Sequence, residues 1–231
     1  MDSEILDGRT IARACRTAVL IPVLMVLAGC GNWIMRADFD NYVPNTSGSL
    51  LEGPILGKPD GDRIDDVCVG GDVRVQQGSP VNSLLIDQCI SGVVFVPADH
   101  DLPNAYTIDW NGTVEKPENS FPTFITLRFE EGPILLRFLS GKLEILRNGT
   151  PQTDPITAGS LTSHTLVIQL TTGSGGQFEL TYQETGSAGT GPKIVRSMSA
   201  GNLGRLESIV INQTGDFSAY VISDLDVFAR D

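Results

Sequence analysis

Several stretches of the chain alternate between apolar and polar residues with the two-residue period of a half-buried β-strand. "YTIDW" sets Tyr106, Ile108 and Trp110 against Thr107 and Asp109, and "TFITLRFE" sets Ile125, Leu127 and Phe129 against Thr126, Arg128 and Glu130. "LVIQL" does the same with Leu166, Ile168 and Leu170, and "QFELTYQ" with Phe178, Leu180 and Tyr182. Between such runs lie clusters of Gly, Pro, Asn and Asp, and no segment from Arg36 onward holds a helical period. The pairs Asn111-Gly112 and Asn148-Gly149 offer the positive φ angles of tight hairpin turns. "TTGSGGQ" and "ETGSAGTGPK" read as loops, the second as a disordered tip. The pattern predicts about ten to twelve short strands in one all-β, two-sheet antiparallel sandwich.

The N-terminus follows a different rule. Arg9, Arg13 and Arg16 precede an uncharged, mostly apolar run from Thr17 to Leu27, the basic and hydrophobic regions of an export signal. As a helix that run is roughly 17 Å long, against a hydrocarbon core of about 30 Å, and Pro22 would kink it. It is too short to span. The run ends on Leu27-Ala28-Gly29-Cys30, which resembles the lipobox of bacterial lipoproteins. The resemblance implies removal of residues 1–29 and acylation of Cys30, with three acyl chains in the usual Gram-negative form. Gly31 follows where an aspartate would favour retention at the inner membrane, so the same resemblance implies the outer membrane. An ordinary cleaved signal with an incidental thiol at Cys30 is the competing reading. Residues 30–36 then read as a short tether and 37–231 as the single folded domain.

Of the four cysteines, Cys15 falls in the signal and Cys30 at its end, leaving Cys68 and Cys89. Two thiols beyond an export signal suggest one bridge, with a pair of buried free thiols as the alternative. Neither cysteine has the cationic neighbours that make a thiol reactive.

"SHTLVIQL" followed by "GGQFELTY" resembles the paired strands of laminin G and concanavalin A-like jelly rolls, and "YVISDLDVFAR" is similar to their closing strand. "ADFDNY" is similar to the start of such domains. The resemblance implies a jelly-roll sandwich over most of the exported chain. It does not name a ligand, because many functions share this fold.

Composition narrows the partners. With 28 acidic and 16 basic residues the formal charge is −12, and residues 1–29 hold three of each, so the exported part keeps the same balance. That field repels phosphate backbones and anionic headgroups, which argues against nucleic acid and against electrostatic membrane binding. The glucanase branch of the fold aligns three acids on one strand through E-x-D-x-x-E; that pattern is absent here, and Glu130 and Glu131, being adjacent, point to opposite faces. Asp60, Asp62, Asp65 and Asp66 in "KPDGDRIDD" are hard oxygen ligands suited to calcium, or else a solvated acidic turn. The two histidines, His100 and His164, lack metal-pair spacing. The outward positions Arg128, Glu130, Arg137, Gln169 and Glu179 are the candidate polar binding set or, equally, ordinary surface, with Trp110 as a candidate stacking platform for a sugar ring, a role its alternation ranks behind that of a core residue. The sequence therefore predicts a lipid-anchored, non-catalytic binding or structural module with a glycan as first-choice partner. Glycoside hydrolysis and the binding of an envelope protein are its competitors.

Overall fold

The long alternating runs do pair as strands. The computed structural model describes residues 33–56, 62–68, 71–78, 81–97, 105–115, 122–157, 163–171, 173–186, 189–213 and 219–230. Cys30 with its signal, Asp60 and His100 lie outside the described residues. Among the described residues there are seventeen strands and one 3₁₀ turn (Gly48–Leu51), and no helix is long and apolar enough to cross a membrane.

The strands are β1 (Trp33–Asp38), β2 (Gly53–Pro54), β3 (Arg63–Asp66), β4 (Asp72–Gln76), β5 (Ser83–Asp87), β6 (Val93–Val96), β7 (Ala105–Glu115), β8 (Thr123–Phe129) and β9 (Ile134–Leu139). There follow β10 (Lys142–Arg147), β11 (Thr150–Pro151), β12 (Ile156–Thr157), β13 (Ser163–Thr171), β14 (Gln177–Gly186), β15 (Gly189–Ser199), β16 (Leu206–Gln213) and β17 (Ala219–Arg230). They form two antiparallel sheets. The first, sheet A, runs β15-β14-β13-β7-β17-β5-β4, with β1 also on β17. The second, sheet B, runs β11-β10-β9-β8-β16-β6-β3-β2, with β12 on β10. The fold is a two-sheet jelly-roll sandwich.

The interior is built by alternation. On β8, Thr123, Ile125, Leu127 and Phe129 are buried while Phe124, Thr126 and Arg128 face outward. On β13, His164, Leu166, Ile168 and Leu170 are buried and Thr165, Val167 and Gln169 alternate with them. The inward sets of both sheets make one apolar core, including Phe95, Phe178, Leu180 and Leu225, and area burial on this scale is the main favourable contribution to folding. Cys68 and Cys89 are joined in a disulfide across a separation of 21 residues; on the chain-entropy model a loop of that length stabilises the fold by about 3 kcal/mol.

The structure corrects three sequence-based expectations. The sandwich begins at Trp33, not residue 37: β1 pairs Trp33 with Phe228 and Asp38 with Asp224, so residues 33–36, read as tether, are sheet. Asn111-Gly112 is not a turn but the middle of β7, paired with Thr165 and His164 on one side and with Asp224 and Ile222 on the other. Neighbouring strands on both sides outweigh the local turn preference of the pair. The supposed tip at 184–193 is also strand: Thr185 pairs with Thr190 and Gly186 with Gly189, so β14 and β15 stay paired almost to their connection. Asn148-Gly149 does behave as expected, with φ of 51° and 75°, closing β10 onto β11 through Arg147 and Thr150.

The sandwich has two distinct ends. At one, called the lower end, β1 and β14 begin and β13 and β17 finish, as the pairings Trp33 with Phe228 and Leu170 with Phe178 show. Turns of sheet B join it there: Arg147 donates to the Ala200 carbonyl and the Glu131 N–H to the Leu203 carbonyl. The other end, the upper, holds the starts of β13 and β17 and the late part of β9, where Phe138 stacks on His164.

Candidate functional site

The outer face of sheet B brings together the most varied chemistry among the described residues. Cross-strand register arranges it in rows. One row reads Ser208 and Arg128; the next reads Asp66, Val94, Val210, Thr126, Leu135 and Leu146; the next reads Asn212, Phe124, Arg137 and Glu144. Directly opposed side chains on an antiparallel sheet lie about 5 Å apart, so each row is a continuous strip. Arg137 Nε donates to Glu144 Oε2 at 2.7 Å, a cross-strand ion pair that is only partly exposed. That contact fixes both groups. Arg128, by contrast, is exposed and makes no ion pair among the described residues. The surface thus offers an aromatic edge at Phe124, a pinned guanidinium at Arg137, an open guanidinium at Arg128 and a hydroxyl at Thr126, with Ser208 buried beside Arg128.

The segment before β6 borders this face. Asn212 Nδ2 donates to the Ile90 carbonyl at 3.2 Å, and Gly92 adopts φ +98°, where a Cβ would lie 2.7 Å from Val210 Cγ1. Only glycine allows that approach. It explains why Val210 is buried on an outward row.

The predicted binding set is split by the fold. Arg128 and Arg137 share the outer face of sheet B. Glu130 lies just past β8 in the lower turn, where its Oε2 accepts from the Arg205 N–H at 3.1 Å and its Oε1 stands 3.8 Å from Arg205 Nε. Gln169 and Glu179 are register partners on sheet A, whose outer face looks the other way, and Glu179 Oε2 accepts from Ser197 Oγ at 3.3 Å. In strand register Trp110 pairs with Leu166 of β13 and Leu225 of β17. What the sequence reading missed is Phe124, Leu135 and Glu144. The only local signal for the first two is an apolar residue at a position whose strand neighbours two away are polar or exposed.

Of the acidic stretch, Asp62, Asp65 and Asp66 lie among the described residues. Asp62 is buried and accepts the Arg36 N–H at 3.0 Å, holding β1 beside the start of β3. Asp65 takes the Arg63 Nε at 2.9 Å, and Asp66 is exposed. Among the described residues no three His, Cys, Asp or Glu side chains come together in a geometry for a metal ion.

Tyr42, Tyr182 and His164 are buried and stand apart from the outer rows. His164 Nε2 lies 2.9 Å from the Tyr220 hydroxyl, and its ring neighbours Phe138, Tyr182 and Tyr220. Tyr182 donates to Glu184 Oε1 at 2.9 Å. Burial first, and then the hydrogen bond to Glu184, push the Tyr182 phenol above its ordinary value; burial also raises Tyr42, more than the bond from the Leu56 N–H lowers it. A phenol whose folded pKa is raised binds its proton more tightly folded than unfolded, so its stabilisation is complete below the unfolded value near 10 and is lost above it. Chemical denaturation at pH 9 and at pH 11 is expected to show a lower midpoint at pH 11, with Tyr182→Phe narrowing the difference.

Comparison with known proteins places the fold. No family model matches the chain, and no curated protein matches it in sequence. Solved structures do match. The marine PL-14 alginate lyase from Aplysia kurodai aligns with TM-score 0.54 at 10% identity over 86% of this chain and 100% of its own. The binding domain of botulinum neurotoxin serotype G aligns with TM-score 0.54 at 13% identity over 87% of this chain and 48% of its own. The binding domain of botulinum neurotoxin DC in complex with SialylT aligns with TM-score 0.50 at 15% identity over 73% and 43%. The chain therefore spans the whole of the lyase and a little under half of each toxin structure. At these identities the likeness establishes the fold alone: an antiparallel jelly-roll β-sandwich.

Proposed function

We propose that this protein is a non-catalytic glycan-binding lipoprotein, held at the outer membrane by acyl chains on Cys30, with the outer face of sheet B as its binding surface. The observation that carries the reading is the combination on one sheet of Phe124, the pinned Arg137–Glu144 pair and the unpaired Arg128. A sugar offers that face CH groups for the ring of Phe124 and hydroxyl or acidic oxygens for the guanidiniums. The fold neighbours support the choice of partner, since one is an alginate lyase and another is a toxin binding domain in complex with SialylT.

The same rows support binding without turnover. Their carboxylates are Glu144 on β10, which Arg137 holds, and Asp66 on β3, the register partner of Val94. Two-carboxylate hydrolysis needs two acids within about 10 Å across a scissile bond, whereas β10 and β3 stand five strand spacings apart in the sheet, roughly 24 Å, and these rows hold no histidine or tyrosine to serve as base.

The test is a glycan array probed with the full chain carrying Cys30→Ser, together with an assay for reducing ends released from pooled polysaccharides. Binding without release is expected. Arg128→Ala should weaken it by about tenfold or more, the worth of a charge-assisted hydrogen bond, while leaving the fold intact because Arg128 supports no other described group. Release of new reducing ends would mark an enzyme instead, and silence in both assays would favour a protein partner in the envelope.

A further inference from the structure

We infer that the lower end of the sandwich is the surface that faces the bilayer, with the strands standing along the membrane normal and the outer face of sheet B turned sideways, open to a ligand along its whole height. The inference rests on the acylation of Cys30 proposed above and adds to it a direction.

Three observations carry it. First, the sandwich starts at Trp33, hydrogen-bonded into sheet A beside Phe228 near the end of β17. Two residues, Gly31 and Asn32, separate Trp33 from Cys30, and a chain of that length reaches at most about 11 Å from the Cα of Trp33. That is far shorter than the tether expected from sequence. A domain on a tether of seven residues could tumble; one whose first strand begins three residues from its acyl chains has little freedom to turn over.

Second, the described turns at that end suit a headgroup layer better than a hydrocarbon one. They include residues 130–133, 148–149, 173–176 and 201–204, rich in glycine and polar side chains. Of the exposed large hydrophobic residues, Leu56 stands at this end, just past β2, and Val43, Leu50, Val81, Ile90 and Val195 belong to none of these turns. Glu130 is bonded to the Arg205 N–H and paired with the Arg205 guanidinium, and Arg147 to the Ala200 carbonyl, so the lower turns are tied to one another and present a braced surface.

Third, polarity is shared by both sheets. β10 runs from Lys142 above to Arg147 below, and the Arg147 contact with Ala200 joins its lower end to that of β15. A six-residue strand is about 20 Å long, so Lys142 and the upper end of the rows stand well above any headgroup that touches the lower turns. Rows stacked along the strands are then met by a glycan chain running up from the membrane surface, or lying beside it, without the bilayer blocking the face.

The orientation is tested on the lipidated full chain, extracted in detergent and reconstituted into vesicles of phosphatidylethanolamine and phosphatidylglycerol containing a phosphatidylcholine spin-labelled on its headgroup. Ser174→Cys at the lower end and Lys142→Cys at the upper end, both exposed positions, each carry a bimane fluorophore. The spin label is expected to quench bimane at position 174 several-fold more strongly than at 142. Equal quenching, or stronger quenching at 142, on protein that remains vesicle-bound would overturn the orientation and leave the anchor standing. A parent protein recovered without acyl chains, or a Cys30→Ser variant that binds the vesicles as fully as the parent, would overturn the anchor, and with it this inference.

Discussion

Replacing Cys30 with serine is expected to move the protein almost completely from the membrane pellet to the soluble fraction. The expectation follows from elimination among the forces that could hold it. Each buried methylene of an acyl chain contributes about 0.8 kcal/mol, so two or more chains anchor a protein durably. Without residues 1–29 the chain keeps a net charge of −12, which anionic headgroups repel. The apolar run from Thr17 to Leu27 is too short to span as a helix. If thioether formation at Cys30 precedes cleavage, the variant also retains its signal peptide and migrates as the longer precursor. Fractionation followed by immunoblotting reads both changes, and a serine variant that still pellets quantitatively, even after a high-salt wash, would mean that something other than lipid holds it.

The largest effect on stability is expected from Tyr220→Ala, with a loss of about 3–5 kcal/mol, as for other large aromatic residues removed from a packed interior. Tyr220 is fully buried. Its ring lies 6.2 Å from Phe138 of the opposite sheet and 5.7 Å from His164 of its own, so truncation opens a void between the sheets where both must close. Its hydroxyl faces His164 Nε2. Tyr220→Phe separates the two contributions: it keeps the ring and removes the hydroxyl, and should cost about 1–2 kcal/mol. Urea denaturation of both variants beside the parent checks the ordering. Comparable losses for Phe and Ala would show that the polar contact, rather than the packing, matters at this point.

The two predictions concern parts of the chain that differ in how legible they are. Pairing within a hairpin is local, and it could be read: "LVIQL" and "QFELTYQ" are β13 and β14, in register from His164 with Glu184 to Leu170 with Phe178. Alternation likewise told the inward residues of β8 from the outward ones. It could not tell which sheet a strand joins, because sheet membership is decided by contacts between residues far apart in sequence. That is why Arg128 and Gln169, both correctly outward, end on opposite faces. The same limit explains Asn111-Gly112. Two residues suited to a turn were outweighed by β13 on one side and β17 on the other, contacts no local window contains.

Position 33 shows a further limit. Nothing in "NWIMRAD" reads as half-buried alternation, since Trp33, Ile34 and Met35 are apolar in succession. The strand exists because β17 is longer than β5 and leaves Asp224 to Phe228 open for a partner. The binding face illustrates the converse. Arg137 and Glu144 are seven residues apart in sequence, and a hairpin at Ser140-Gly141 with φ of 50° and 70° brings them opposite each other. Glycine at the second of these positions was the available clue to that turn.

Cells grown with radioactive palmitate give the most direct measurement of the claim on which the account depends. The purified protein is predicted to carry label that survives denaturation in detergent, and the Cys30→Ser variant none. A parent protein recovered from the envelope without label would contradict the anchor and return the sandwich to a freely diffusing binding domain.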